Sequence, residues 1–168
     1  ANSSYARKVR LSNLQQMAKT VAYIQEHGYD TEDDLKAAFD EAQAQTTEMR
    51  KTLRSTEKKL REVNEQIHYT GQYLANKSVY REFLTCKNKK KFRLEHQTEI
   101  TLYETARKIL KEHSEDGKLP SMKLLKAEKE KLAARKSSQY EAYRNLREYE
   151  KELHIVQTNI DTFLGKDR

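Results

Sequence analysis

The chain has 168 residues, of which 36% are hydrophobic and 35% are charged, with a formal net charge of +7. This apolar content is low for a globular core and is typical of long helices that bury one narrow apolar seam. Because four Gly, one Pro and no Trp accompany many residues of high helix propensity, the composition excludes a β-rich fold and predicts an all-α protein.

The first predicted element is a short amphipathic helix within the N-terminal segment 1–30. Ser12 can cap its start, and His27 followed by Gly28 marks its end. Its apolar residues recur every three or four positions and are Leu11, Leu14, Met17, Val21 and Ile24.

A long heptad helix is predicted next, over about 32–76, and forms a first arm at 31–76. Thr31 can cap it, and the three acids that follow suit the positive end of a helix. The predicted seam steps by four and three and consists of Leu35, Phe39, Ala42, Thr46, Met49, Leu53, Thr56, Leu60, Val63, Ile67, Thr70 and Leu74.

A second arm of matching length is predicted at 119–168, after the breaker Gly117 to Pro120. Ser121 can cap its helix, and Gly165 lies just beyond the end. Its seam consists of Leu125, Glu128, Leu132, Arg135, Gln139, Ala142, Leu146, Tyr149, Leu153, Val156, Ile160 and Phe163. Two arms of equal length predict a long antiparallel coiled-coil hairpin.

The intervening segment 77–118 is predicted to form a small basic helical head, so that the four segments make one structural unit. It should contain one helix at about 78–86 and another at about 92–114. The apolar residues of the second helix are Phe92, Ile100, Tyr103, Ala106 and Leu110.

Nothing in the sequence indicates a catalytic, metal or cofactor site. The five histidines lack the paired spacing of metal ligands, and the four glycines stand apart instead of forming a phosphate-binding loop. Cys86 would need a base such as His96 to act as a nucleophile, and a structural thiol is the simpler interpretation. Ten tyrosines at helical spacing favour packing. We therefore expect neither an enzyme nor a small-molecule binder.

The single Cys86 has no partner for an internal disulfide, and no apolar run approaches the roughly 18 residues that cross a bilayer. We therefore expect a soluble, cytoplasmic protein without a membrane partner. Because the sequence begins at Ala1 and not at Met, we also expect it to be part of a longer protein.

Most of the excess charge lies in one stretch, residues 77–93, which we call the basic segment. It carries seven cations and one acid, and Phe83 and Phe92 lie between the cations. Such cations can bind nucleic-acid phosphates, and aromatic rings can stack on unpaired bases. The alternative is a solvated turn between helices. The candidate DNA-binding residues are Lys77, Arg81, Lys87, Lys89, Lys90, Lys91 and Arg93.

Two stretches, Val9 to Asp30 and Leu119 to Gly165, resemble the region that follows the nuclease domain in relaxases, the mobilization nucleases of Gram-positive conjugative and mobilizable elements. The first contains Asn13-Leu14-Gln15-Gln16-Met17-Ala18-Lys19-Thr20, and the second is similar to the family's Leu-Pro start, Tyr-Arg middle and Ile-Leu-Gly-like end. Relaxases nick DNA with a tyrosine and a histidine-held metal in their N-terminal domain. No residue of this chain matches that machinery.

The resemblance implies a non-catalytic C-terminal relaxase region. It would assist binding of origin-of-transfer DNA, or docking to other transfer proteins, during plasmid or transposon mobilization. The main alternative is a structural coiled-coil module that self-associates or binds a protein partner.

Overall fold

The computed structural model describes residues 2–166, apart from the side chains of residues 2, 3 and 5. The first residue of the predicted N-terminal segment and the last two of the second arm lie outside this range. The helices are α1 (Asn2–His27), α2 (Glu32–Thr85), α3 (Lys89–Glu95), α4 (Gln97–Glu112) and α5 (Met122–Phe163). No strand occurs among the described residues, and the prediction of an all-α protein is confirmed.

The helix α1 begins at Asn2, so the predicted cap at Ser12 is wrong and Ser12 lies inside the helix. No Gly or Pro precedes Ser12 to stop the helix from extending toward the N-terminus. The predicted end is confirmed, because Gly28 adopts a φ of 68° that residues with a Cβ rarely adopt. The amides of Gly28 and Tyr29 donate to the carbonyls of Gln25 and Ile24, which closes the helix in a Schellman motif.

The helix α2 starts where the sequence predicted. The Asp34 amide donates to Thr31 Oγ1 at 3.1 Å, and the Thr31 amide donates to Asp34 Oδ2 at 3.1 Å, which forms a reciprocal capping box. The helix then continues to Thr85, so the separate helix predicted at about 78–86 is wrong. Gly71 does not stop it, since one Gly costs only about 1 kcal/mol relative to Ala.

The predicted seam of α2 is buried or half-buried from Leu35 to Thr70 and then shifts. Leu74 is exposed, whereas Tyr73 and Tyr80 are half-buried and Asn76 is buried. The buried positions therefore advance by two successive steps of three after Thr70, which is a stammer in the heptad pattern.

The predicted helix at about 92–114 is two helices, α3 and α4, separated at His96. His96 has φ −123° and ψ 32°, and its ring packs 4.3 Å from the ring of Phe92. The predicted apolar face of α4 is confirmed, because Ile100, Tyr103, Ala106 and Leu110 are all buried.

The chain divides into two compact units, Ala1–Thr52 with Gln139–Arg168, and Leu53–Ser138. Because α2 and α5 each contribute to both, this division differs from the four predicted segments. Within the first unit, the α2 and α5 segments run antiparallel, since Phe39 packs against His154 at 6.1 Å and Arg50 donates to Tyr143 Oη at 3.1 Å. The buried core of this unit consists of Leu35, Ala42, Leu153 and Val156.

The second unit is built around α4. Antiparallel α2 and α5 segments contact each other through Glu57 and Lys136, whose charged atoms are 3.6 Å apart. Gly71 lies opposite Met122, where a Cβ at position 71 would be 4.0 Å from the methionine methyl group. The continuous coiled-coil hairpin over the whole chain stays a prediction.

Two tyrosines of the first unit should make its stability fall at alkaline pH. Burial, followed by the charge of Glu152, raises the pKa of Tyr23 to about 12, and burial also raises the pKa of Tyr29, whose hydroxyl hydrogen-bonds to that of Tyr149. Since an unfolded tyrosine titrates near pKa ~10, the folded state is favoured below pH ~10 and loses this stability as pH rises toward ~12.

We therefore expect the free energy of unfolding in urea to fall between pH ~10 and pH ~12. Tyr23→Phe, which removes one titrating group, should reduce this fall. An equally large fall in the variant would show that Tyr23 does not contribute.

Candidate nucleic-acid interface

The basic segment spans the end of α2, the link to α3 and most of α3. Lys77 and Arg81 lie on α2, Lys87 lies in the link, and Lys89, Lys90, Lys91 and Arg93 lie on α3. Asn88 fixes the start of α3, because its Oδ1 accepts a hydrogen bond from the Lys91 amide at 3.1 Å. This cap places three consecutive lysines in the first turn of α3.

Three of the seven cations have partners within the protein. Arg93 donates to Glu104 Oε1 at 2.7 Å, and its guanidinium lies 4.9 Å from the centre of the Phe83 ring. Lys77 is half-buried, with its ammonium 5.9 Å from the centre of the Tyr73 ring. Lys91 and Glu95 approach only to 3.9 Å on an exposed surface, so this pair is weak.

The other four cations are Arg81, Lys87, Lys89 and Lys90, and all four are exposed. Within residues 2–166, no ion pair holds any of them. Together with Lys91 they give the link and the ends of the two flanking helices a concentrated positive charge. An exposed, unpaired cationic side chain can replace the counterions that are condensed on a nucleic-acid phosphate, and its own desolvation costs little. Proteins contact the phosphate backbone in this way.

The aromatic side chains of this segment are engaged in packing. Phe83 and Phe92 are half-buried with ring centres 6.3 Å apart, and Tyr80 packs on Phe83 at 5.8 Å. Tyr80 also stacks on the buried Tyr103 at 4.0 Å. The expectation that Phe83 and Phe92 present faces to unpaired bases is therefore not supported, because these rings form the contact between α2, α3 and α4.

The remaining candidates for chemistry have structural contacts. The Cys86 thiol donates to the Phe83 carbonyl at 3.1 Å, and the His96 ring packs on Phe92. In the part of the chain that the structure describes, no three His, Cys, Asp or Glu side chains are grouped as metal ligands would be. Across the same residues, no helix has the length and apolar character needed to span a bilayer.

The sequence interpretation missed one surface, on α1. Leu11, Leu14 and Val21 recur at the spacing expected for a packed face, yet all three are exposed. The buried side of α1 instead carries Thr20, with Tyr23 and Ile24 half-buried beside it. Hydrophobic periodicity predicts that the apolar side of a helix is buried. On α1 the more polar side is buried, so the sequence pattern could not identify the exposed surface.

The partners of Arg93 predict that it stabilises the fold and contributes little to DNA binding. Arg93→Ala should lower the free energy of unfolding by about 1 kcal/mol, from the lost cation–π contact and the half-exposed salt bridge. Lys90→Ala should leave stability within about 0.5 kcal/mol and weaken DNA binding. Urea denaturation and fluorescence anisotropy measure the two effects. Equal loss of DNA affinity in both variants would contradict this assignment.

No protein-family model, no curated protein and no solved structure matches the chain. Its binding properties are therefore inferred from its own side chains.

Proposed function

We propose that the basic segment binds the phosphate backbone of DNA. The observation that carries this proposal is the group of exposed and unpaired cations Arg81, Lys87, Lys89 and Lys90, to which Lys91 adds a weakly paired fifth. Each lysine that neutralises a phosphate releases a condensed counterion, which makes binding favourable and strongly dependent on salt.

The binding should be independent of base sequence. Lysine ammonium groups contact phosphates as point charges, and the aromatic rings nearby are packed against one another. Since phosphates are denser along a duplex than along a single strand, duplex DNA should bind with the steeper salt dependence.

The biological setting that we propose is the non-catalytic C-terminal region of a relaxase in the cytoplasm. In that setting the basic segment would hold DNA around the transfer origin while a separate nuclease domain cleaves it. The support for this setting is the resemblance of residues 9–30 and 119–165, whereas the support for DNA binding is the charge arrangement itself. The two parts of the proposal can therefore fail separately.

A second candidate function is a coiled-coil module that binds a protein or a second copy of itself. The exposed apolar side chains of α1 favour it, since contiguous apolar surface on a helix commonly marks a protein contact. Both functions can belong to one chain, because the basic segment and α1 are different surfaces.

A fluorescein-labelled duplex of arbitrary sequence tests the DNA proposal by anisotropy. The variant with Lys87, Lys89, Lys90 and Lys91 changed to Ala should bind more than tenfold more weakly than the unmodified chain at the same low salt concentration, since four phosphate contacts and the release of their counterions are lost. A matched control changes the exposed lysines Lys123, Lys126, Lys129 and Lys131 of α5 to Ala. It removes the same charge and should retain most of the affinity. Equal losses in the two variants would overturn the basic segment as the site.

A further inference from the structure

The hydrogen bonds and core contacts of α1 with the rest of the first unit involve Thr20, Tyr23 and Ile24, on one side of the helix. Asn159 Nδ2 donates to Thr20 Oγ1 at 3.2 Å, and Tyr23 Oη donates to Glu152 Oε2 at 3.4 Å, so polar contacts fix α1 against α5. Ile24 adds an apolar contact to the core of the unit. These contacts define the inward side of the helix and therefore also its outward side.

The outward side carries a second apolar stripe. Leu11, Leu14, Ala18 and Val21 follow one another at steps of three, four and three, which is the spacing of a coiled-coil seam. The exposed fractions are 52% for Leu11, 62% for Leu14 and 47% for Val21. Gln15 and Lys19 border the stripe on one edge. The exposed Met17 lies with Arg10 on the other edge, beside Phe163 of α5.

The charges that α1 itself carries beside the stripe all have one sign. Arg7, Lys8, Arg10 and Lys19 lie on α1, and the first acid of this helix is Glu26, near its end. A partner that buries the stripe must therefore place anionic groups along both edges, or it brings further positive charge against these four cations.

We propose that the outward face of α1 docks an amphipathic helix of a partner protein, with apolar residues along its seam and acidic residues at the flanking positions. Such a helix supplies both the apolar surface that covers Leu11 and Leu14 and the carboxylates that pair with the arginines and lysines. The proposal extends the protein-binding function and does not depend on DNA binding by the basic segment.

Other occupants match the face less well. Nucleic acid supplies anionic phosphates but no apolar surface for the leucines, and a second copy of α1 supplies leucines but repeats the same four cations. An anionic bilayer supplies both, but helices that lie in a bilayer bury a broad apolar face rich in large side chains. Here a small residue, Ala18, lies at the centre of the stripe, and none of its four residues is aromatic.

Two labelled synthetic peptides test the proposal against the whole chain. Both have heptad repeats with Leu at the two core positions, and one has Glu and the other Lys at the two flanking positions. The Glu peptide should bind the chain at least tenfold more tightly than the Lys peptide, a difference of ~1.4 kcal/mol or more. Its affinity should fall with added salt.

The variant Leu14→Gln should weaken binding of the Glu peptide about tenfold or more, because a polar side chain replaces an apolar one of the seam that the bound peptide buries. Leu124→Gln is the matched control, since Leu124 is 71% exposed on α5 and lies outside this face. Both positions are exposed, so helicity measured by circular dichroism should be unchanged. The variant lacking the lysines at 87, 89, 90 and 91 should bind the Glu peptide normally, which separates this proposal from DNA binding.

Three results would overturn the proposal: equal binding of the two peptides, undiminished binding by Leu14→Gln, or no binding of the Glu peptide. A dimer that dissociates on dilution and is abolished by Leu14→Gln would assign the face to a second copy instead. Displacement of the Glu peptide by vesicles of phosphatidylserine, and not by neutral vesicles, would assign it to a bilayer.

Discussion

Leu153→Ala is expected to lower the free energy of unfolding by about 2–5 kcal/mol. Leu153 is 0% exposed and lies in the same buried cluster as Leu35, Ala42 and Val156. The variant loses the transfer free energy of the leucine side chain and leaves a cavity. The surrounding side chains should relax only partly into that cavity, so the cavity adds to the cost.

Urea denaturation followed by circular dichroism measures this change. The matched control is Ile155→Ala, since Ile155 lies two residues away on α5 but is 57% exposed. That control should cost less than about 1 kcal/mol, because much of its side chain is already in water. Similar losses in the two variants would contradict the assignment of Leu153 to the core.

Tyr103→Ala should destabilise the second unit by about 3–5 kcal/mol, the range for removal of a large aromatic side chain from a core. Tyr103 is buried, and its ring stacks on Tyr73 at 4.8 Å and on Tyr80 at 4.0 Å. The substitution would therefore remove the contact that joins α4 to the end of α2. Each of the two aromatic pairs adds ~0.5–1.5 kcal/mol to the stabilisation that comes from the buried area.

Tyr103→Phe separates the ring from the hydroxyl group. It should cost only about 0.5–1.5 kcal/mol, since it keeps the stacked ring and loses the hydrogen bond of the hydroxyl group with Tyr73. Tyr140→Ala removes a tyrosine that is 55% exposed and should change stability little. If Tyr103→Phe were as destabilising as Tyr103→Ala, the hydroxyl group and not the stacked ring would make the main contribution of Tyr103 to the free energy of unfolding.

The secondary structure was largely predictable because its signals are local. Thr31 caps α2 as the sequence predicts, with Asp34 completing a capping box, and Gly28 ends α1 in a left-handed conformation. The seam from Leu35 to Thr70 is buried or half-buried, as its heptad spacing predicts. These features depend on residues a few positions apart, which periodicity and capping rules describe well.

The departures from prediction come from contacts between residues distant in sequence. The helix α2 passes Gly71 and the predicted end near residue 76 because Tyr73, Tyr80 and Phe83 pack against residues of α3 and α4. The same packing explains the stammer that exposes Leu74. A heptad pattern alone cannot show it, since Leu74 continues the regular spacing and Tyr73 breaks it.

The candidate site was only partly predictable for the same reason. Clustering of lysines is visible in the sequence, and it locates the basic segment. The pairing of Arg93 with Glu104 is not visible, because the two residues belong to different helices, α3 and α4. The burial of Phe83 and Phe92 against each other likewise depends on how the two helices fold together, so their availability to bases could not be judged from spacing.

The outward face of α1 shows a further limit of pattern analysis. An apolar stripe on a helix usually faces the core, but here Thr20 hydrogen-bonds to Asn159 on the inward side and the leucines face outward. Hydrophobic periodicity gives the direction of an apolar face relative to its own helix. It does not identify which face meets the rest of the chain.

The salt dependence of DNA binding tests the central claim, that the lysines of the basic segment contact phosphates, most directly. The logarithm of the association constant for a duplex should fall linearly with the logarithm of salt concentration, with a slope of about −0.9 per phosphate contact. Changing Lys87, Lys89, Lys90 and Lys91 to Ala should therefore reduce the magnitude of the slope by about 3 to 4. A slope that is the same with and without these four lysines would contradict the claim.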